Sequence, residues 1–388
     1  MKRLAIVSTH PIQYNAPLYK LISQRGLINL KVFYTLGDVQ QYDSGFAMNI
    51  NWDIPLLQGY DFVFLRNKST RPSSANFLGI INPDLILEIK QWRPDAILIY
   101  GWNYYSHLHL ILTLSDKFKL WFRGDSTLID ARSIIRNIFR KIILFYVYRH
   151  IDKAFHVGTN NKKYFLKYGL NKSRLIFAPH AIDNLRFNFN NKLIDNYQQA
   201  QNWRTRLGYK LDEIVITFIG KFQDKKNPLL LADAIIKFNT TYVKKIKLLF
   251  VGNGPLENIL KKAYSESQYV NFLPFQNQSL MPIVYLLGDI FCLPSKGPGE
   301  TWGLSVNEAM SCGLPILVSN KCGCAIDLVE DGFNGYIFIS ENQTDLIKKL
   351  ELLANSNLKL FGLRSTQIIE SWSLENQCKT YENALLNM

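Results

Sequence analysis

The chain has 388 residues, 47% hydrophobic and 13% aromatic, which excludes a disordered or low-complexity protein and leaves room for two domains with separate cores. Its formal net charge of +14 favours an anionic partner without choosing among phosphates, acidic lipid and nucleic acid. No apolar run approaches the ~18 residues that span a membrane, and Leu4–Val7 is too short for a signal peptide, so a cytosolic protein is expected.

Met1–Ser8 reads as a buried strand, followed by the loop Thr9–Pro17 and a helix from about Leu18. Lys31–Tyr34 reads as a second strand. Residues 38–75 are polar, aromatic and turn-rich, with no clear period. Leu85–Gln91 suggests a helix, Pro94–Tyr100 a strand ending at Gly101-Trp102, and Leu120–Phe122 a strand ending at Arg123-Gly-Asp-Ser126. Short apolar strands alternating with helical patterns imply βαβ units and a parallel sheet. Ligands bind at the C-terminal ends of such strands, where His10, Trp102 and Asp125 fall.

Residues 131–150 form a basic amphipathic pattern. Arg132, Arg136 and Arg140 recur every fourth residue, and Ile134, Ile135, Ile138, Ile142 and Phe145 fill another stripe. Two compatible readings follow: a surface helix packing on the sheet, slightly favoured because a helix is needed here, or an in-plane helix on anionic lipid. Ala154–Val157, Asn160–Tyr168 and Leu175–Phe177 read as strand, helix and strand. Residues 184–210 are rich in Asn, Gln, Lys and Arg, and read as a linker with a short helix. A second alternation starts at Ile214–Ile219 and continues through Leu248–Val251, Val270–Phe272, Ile290–Leu293 and Ile316–Val318. Leu360–Met388 is helical, with a break at Trp372-Ser373.

The cysteines Cys292, Cys312, Cys322, Cys324 and Cys378 all lie in the C-terminal half. Cys322-Gly-Cys324 lacks zinc-knuckle spacing, and no histidine follows His180, so reduced structural cysteines are expected.

Four features of the second half carry chemistry. Gly220–Pro228 follows that half's first strand, with Lys221 and Lys226 able to bracket a diphosphate as point charges; solvated loop lysines are the plainer reading. Gly252-Asn253-Gly254 is a glycine turn without the full dinucleotide spacing. Phe272–Asn277 offers Asn277 at a strand end. Gly297–Pro315 holds Glu300 and Glu308 either side of Gly303, where a helix begins and its backbone N–H groups face an incoming anion. The plainer reading of the glutamates is a helix N-terminal acid and a solvated helix residue.

In this order the chain resembles the retaining glycosyltransferases of family four, with the GT-B fold. The resemblance rests on G-K-x4-K at Gly220, Lys221 and Lys226, G-x-G at Gly252 and Gly254, and E-x7-E at Glu300 and Glu308 with internal Gly303. Gly313-Leu-Pro315 and Asp331-Gly-Phe-Asn-Gly335 also match. It implies an α/β fold of two Rossmann-like, doubly wound domains facing a central cleft. The expected division is 1–184 for the acceptor, a linker at 185–210, 211–370 for the nucleotide sugar, and a terminal helix at 371–388 packing back on the first domain.

The resemblance implies that Glu300 contacts the donor sugar, Glu308 the ribose, Lys221 and Lys226 the diphosphate, and the Trp302-Gly303-Leu304 backbone its phosphate oxygens. Charge building on the leaving diphosphate would be met by preorganised cations and N–H dipoles. No Asp-x-Asp motif occurs, so neither metal nor other cofactor is expected. The first half departs from the pattern: Thr9–Tyr14 replaces a Gly-Gly pair, as in one subgroup, and Arg123–Ser126 stands where many members place a histidine. Either Asp125 or His10 acts at the acceptor, or positioning suffices without a base. Gln13, Tyr14, Trp102 and Arg123 are further acceptor-side candidates. The implied activity is retaining transfer from a UDP- or GDP-sugar to a hydroxyl of a glycan or lipid-linked glycan, in bacterial surface polysaccharide or lipopolysaccharide assembly. Partners would include a possible anionic membrane contact through 131–150, but no nucleic acid. The alternatives are a sugar-nucleotide epimerase, a glycogen-type phosphorylase, for which no cofactor lysine is found, and a non-catalytic sugar-nucleotide-binding partner. A basic nucleic-acid-binding protein has only net charge in its favour.

Overall fold

The computed structural model describes residues 1–37, 42–43, 45–130, 134–187, 193–210 and 212–388. In chain order the strands are β1 (Arg3–Ser8), β2 (Asn29–Tyr34), β3 (Tyr42–Asp43), β4 (Met48–Asn49), β5 (Asp61–Phe64), β6 (Ala96–Tyr100), β7 (Lys119–Arg123) and β8 (Lys153–His156). There follow β9 (Leu175–Phe177), β10 (Ile214–Ile219), β11 (Ile246–Val251), β12 (Val270–Leu273), β13 (Ile290–Leu293), β14 (Ile316–Ser319) and β15 (Gly335–Phe338). They fold into two compact units.

The first unit comprises residues 1–40, 55–180 and 373–388. Its sheet runs β5-β2-β1-β6-β7-β8-β9, every pair parallel. Strand residues alternate between the two faces. Val7, Ile97, Ile99 and Phe122 pack under the helices Leu85–Trp92, Tyr105–Leu114 and Thr159–Lys167. Phe155 faces the other way, its ring 4.9 Å from that of Tyr381 on the last helix, Leu374–Leu386. That helix lies along Ala16–Arg25, where Arg25 reaches Glu382 at 3.0 Å and Glu375 at 2.6 Å. The break before it falls at Ser371–Ser373, where one was expected at Trp372-Ser373, and Ser373 caps the helix by accepting the Asn376 N–H.

The helix Ile134–Tyr148 packs on the sheet, as the favoured reading expected, but not through the predicted apolar stripe. Leu144, Val147 and Tyr148 face the core, whereas Ile135, Ile138, Phe139, Ile142, Ile143, Phe145 and Tyr146 are exposed, from 46% at Ile143 to 68% at Ile135. The predicted stripe is therefore the outward one. Arg132 lies outside the described residues, as does the Ile134 side chain.

The second unit comprises 41–54 and 181–372. Its sheet runs β12-β11-β10-β13-β14-β15, again wholly parallel. Ile216, Phe218, Leu248, Phe250, Ile290 and Leu317 anchor its core. The small antiparallel ladder β3-β4 belongs to this unit. Residues 184–210 hold more helix than their composition suggested, with Asn184–Phe187 and the longer Leu193–Arg206. Arg204 is the reason this polar helix is held: it is buried and bonds Asp289 at 3.1 Å and the carbonyls of Leu287 and Glu213. All five cysteines are buried and free of disulfides.

Candidate functional site

The sheet of the second unit reverses its strand order between β10 and β13, the switch point at which open α/β sheets form a ligand crevice. The loop after β10 carries Gly220, Lys221 and Lys226; the loop after β13 runs from Ser295 to Gly303. Neighbouring strands thus bring residues 74 positions apart into contact. Lys226 Nζ lies 2.9 Å from Glu300 Oε2, and both side chains are largely buried. The Ser295 hydroxyl donates to the same oxygen at 3.1 Å. Burial pushes the Glu300 carboxyl up, but Lys226, Lys225 and the Ser295 hydrogen bond together outweigh it, and its pKa lies below the ordinary value.

The Glu300 loop is held by its backbone. Gly323 N donates to Glu300 O and Cys324 N to Trp302 O, each at 3.0 Å. A Cβ on Gly323 would sit 1.7 Å from Thr301 O, so only glycine allows this approach. Gly303, at φ +103, caps the helix Leu304–Ser311. The Trp302 side chain is buried, donating to Asn307 Oδ1 at 2.8 Å and packing on Trp372 at 5.0 Å, so it is committed to the protein. Leu304 opens the helix.

Glu308 is not the solvated helix residue of the plainer reading. It is buried, and Tyr285 donates its hydroxyl to Glu308 Oε2 at 2.6 Å. A carboxylate placed on the inner face and met by a phenol can accept from a polyol, but it has no surface role.

The glycine turn after β11 serves the loop after β10. A Cβ on Gly252 would lie 2.0 Å from Gly220 O, and one on Gly254 would lie 2.7 Å from Phe222 N. Asn253 ties three loops together: its carbonyl accepts from Phe222 N at 2.9 Å, its Oδ1 from Phe275 N at 2.5 Å, and its Nδ2 donates to Glu257 at 3.0 Å. Its side chain is thus committed to the protein.

Lys221 and Asn277 meet the segment that the sequence left unread. Lys221 Nζ lies 2.8 Å from both Asp43 carboxylate oxygens and 5.0 Å from the Phe46 ring centroid. Asn277 donates to Asn51 O at 2.7 Å and accepts from Asp53 N at 3.3 Å. Asp43, Ser295, Gly323 and Tyr285 were missed. Of these only Gly323 carried a signal, a glycine between two small buried residues; the others depend on tertiary pairing.

In the first unit, His10, Trp102 and Asp125 follow β1, β6 and β7, which are adjacent and include that sheet's own switch point. His10 bonds the Thr9 hydroxyl at 2.9 Å, and burial lowers its pKa, favouring the neutral imidazole. Gln13 and Tyr14 lie in the turn closed by Asn15 N to Ile12 O at 2.9 Å. Trp102 packs partly on the core, and Asp125 is exposed. Arg123 is buried and donates to Ala178 O and Pro179 O at 3.1 Å each, which holds the loop after β9. Donor-side and acceptor-side candidates belong to different units, and among the described residues no group of three His, Cys, Asp or Glu is placed to hold a metal.

Two wholly parallel, Rossmann-like sheets, each with helices between its strands, are those of a GT-B fold, and the paired lysine and glutamate lie at the switch point of the second sheet. Residues 199–367 match the family described as glycosyl transferases group 1. The chain is 31% identical over 157 residues to the alpha-monoglucosyldiacylglycerol synthase of Acholeplasma laidlawii, covering 39% of this chain and 38% of that protein. It is 34% identical over 138 residues to the UDP-Gal:alpha-D-GlcNAc-diphosphoundecaprenol alpha-1,3-galactosyltransferase of Escherichia coli, 34% of each chain. The matched stretches thus span little more than a third of these relatives. The whole fold is similar to that of Anabaena HepE in complex with UDP, with a TM-score of 0.72, 16% identity and 100% coverage of both chains.

Proposed function

We propose that this protein is a retaining glycosyltransferase, moving a sugar from a UDP- or GDP-sugar to a hydroxyl of a glycan or lipid-linked glycan in bacterial surface polysaccharide or lipopolysaccharide assembly. The observation that carries the reading is the buried Lys226–Glu300 pair with Ser295 at the β10/β13 switch point. The second unit binds the donor and the first the acceptor. Lys226 keeps Glu300 ionised, so the carboxylate accepts hydrogen bonds from sugar hydroxyls. Glu308 accepts from the ribose, its carboxylate oriented by the Tyr285 bond. As the nucleoside diphosphate departs, its growing charge is met by Lys221, Lys226 and the N–H groups at Gly303-Leu304, without a metal. The acceptor attacks on the face the diphosphate leaves, which retains configuration; Asp125 or neutral His10 positions the acceptor hydroxyl. Both named relatives act, by their names, on lipid or lipid-linked molecules, and the Anabaena structure holds UDP, which supports a nucleotide sugar and a lipid-linked acceptor.

The enzyme works at the inner face of the cytoplasmic membrane. No helix among the described residues is long and apolar enough to cross a membrane. The outward apolar face of Ile134–Tyr148, beside exposed Arg136, Lys141 and Arg149, suits an in-plane contact with anionic lipid.

The test is a thermal-shift screen against UDP-, GDP- and ADP-sugars, followed by assay of released nucleoside diphosphate. One class should stabilise the protein by mass action and be turned over, and Glu300→Ala should abolish release while the variant stays folded. Stabilisation by none of them, or an isomerised sugar without released diphosphate, would overturn the reading.

A further inference from the structure

Asp43 and residues 45–53 cover the loops to which the donor is assigned. Asp43 places both carboxylate oxygens 2.8 Å from Lys221 Nζ. The turn is preformed: Asp43 Oδ1 also accepts from Gly45 N at 2.8 Å and Phe46 N at 3.1 Å. Gly45 is fitted to this pairing, because a Cβ there would lie 2.4 Å from the Lys221 Cδ. Beyond the turn, Phe46 and Trp52 hold the Phe275 ring at 4.9 and 6.2 Å. Asp53 accepts from Ser279 N at 3.1 Å and from the Ser279 hydroxyl. The segment is thus fastened at both ends, at Lys221 after β10 and at Ser279 after β12.

We infer that this segment holds the donor's place: the Asp43 carboxylate neutralises Lys221 while no anion is bound, and a nucleoside diphosphate binds by displacing it. This rests on the assignment of Lys221 to the diphosphate. Two acceptors compete for one ammonium, a carboxylate supplied by the chain and the phosphate oxygens of the ligand. The affinity observed is then the intrinsic one reduced by the fraction of molecules in which the segment has released Lys221. The Asp43–Lys221 pair is about one-third exposed on each side, so the fastening is weak enough to be reversed by a ligand carrying at least two negative charges. It also keeps the crevice from trapping weaker anions.

Asp43→Asn keeps the acceptor for Gly45 N and Phe46 N but removes the charge. Titrated with UDP and with GDP by calorimetry, the variant of the 388-residue chain is expected to bind the preferred diphosphate about two- to fivefold more tightly than the natural protein. Asp53→Asn, which loosens the other fastening, should act in the same direction. Amide exchange of residues 45–53 should quicken when the diphosphate is added. Unchanged or weaker binding by both variants, with Lys221→Met still impairing binding, overturns the place-holding role and leaves the donor site intact. Slower exchange of 45–53 on binding also overturns it, since the segment would then close on the ligand. If neither diphosphate binds natural protein or variants, this inference and the proposed function fail together.

Discussion

Replacing Lys226 by Met strips Glu300 of its partner in a place the solvent barely reaches, since the two side chains are 13% and 9% exposed. Breaking a buried pair by removing one member costs about 3 kcal/mol or more, because the remaining charge is uncompensated. For a unit of this size that is a fall in Tm of roughly 6–12 °C at pH 8. The pH dependence carries the diagnosis. In the natural protein the Glu300 carboxyl lies below its ordinary value of 4.5, so its contribution is complete above that pH and is lost only as the pH falls through the folded value. In Lys226→Met the burial that pushes the carboxyl up loses its main opponent, and the pKa moves above 4.5. The folded state then holds its proton more tightly than the unfolded state, and stability falls as the pH rises from 4.5. The deficit should accordingly be clearly smaller at pH 5 than at pH 8 when melting is followed by circular dichroism. Adding Glu300→Gln to Lys226→Met should restore much of the loss at pH 8, because neither charge is then buried. An equal deficit at both pH values, or a double variant no more stable than Lys226→Met, would refute the argument.

Glu308→Gln should weaken binding of the preferred diphosphate nucleotide about ten- to a hundredfold by calorimetry, the loss of one charged acceptor for the ribose; unchanged affinity would remove Glu308 from the site. Gly252→Ala should lower stability by at least about 2 kcal/mol, since the methyl group would meet Gly220 O at 2.0 Å in a left-handed region. Gly208→Ala, at φ +78 with open space around it, should cost only about 1–2 kcal/mol when both variants are unfolded in urea, and a reversed order would show the close approach to be unimportant. Ile138→Glu with Ile142→Glu should weaken sedimentation with vesicles rich in phosphatidylglycerol roughly a hundredfold, from about 1.5 kcal/mol for each exposed isoleucine withdrawn from lipid. Equal sedimentation of variant and natural protein would sink the membrane contact, and a shift in oligomeric state would reassign the face to a second copy.

The central strands were legible because each is a short apolar run with a turn signal behind it, and Ile214–Ile219 and Ile290–Leu293 were read to the residue. Of the edge strands, Leu175–Phe177 and Val270–Leu273 were read and two were not. Asp61–Phe64 and Gly335–Phe338 end their sheets, are only partly buried, and so lack the continuous apolar pattern of a strand covered on both faces. The helix Leu193–Arg206 was hidden because a buried arginine, rather than an apolar stripe, fixes it. On Ile134–Tyr148 the helix and its packing on the sheet were read, but Leu144, Val147 and Tyr148 make that contact rather than the predicted stripe: periodicity locates an apolar face but does not say what covers it. At the site, Glu300, Lys226 and the glycines were visible as a spaced motif. Asp43 was invisible, because nothing local in residues 38–75 announces a partner 178 positions away.

The last helix, Leu374–Leu386, gives the first unit an unusual biosynthetic history. Its sheet begins with Arg3–Ser8, yet Phe155 and Arg25 wait for Tyr381, Glu375 and Glu382 to cover them. Between His180 and Ser373 the ribosome adds the 192 residues 181–372 of the other unit, which at ordinary rates takes about 10–40 s. For that interval the part of the sheet face around Phe155 lacks the cover of Tyr381 and is adhesive. A nascent chain of this design offers chaperones a defined binding window, and a premature stop near residue 370 leaves that window open permanently.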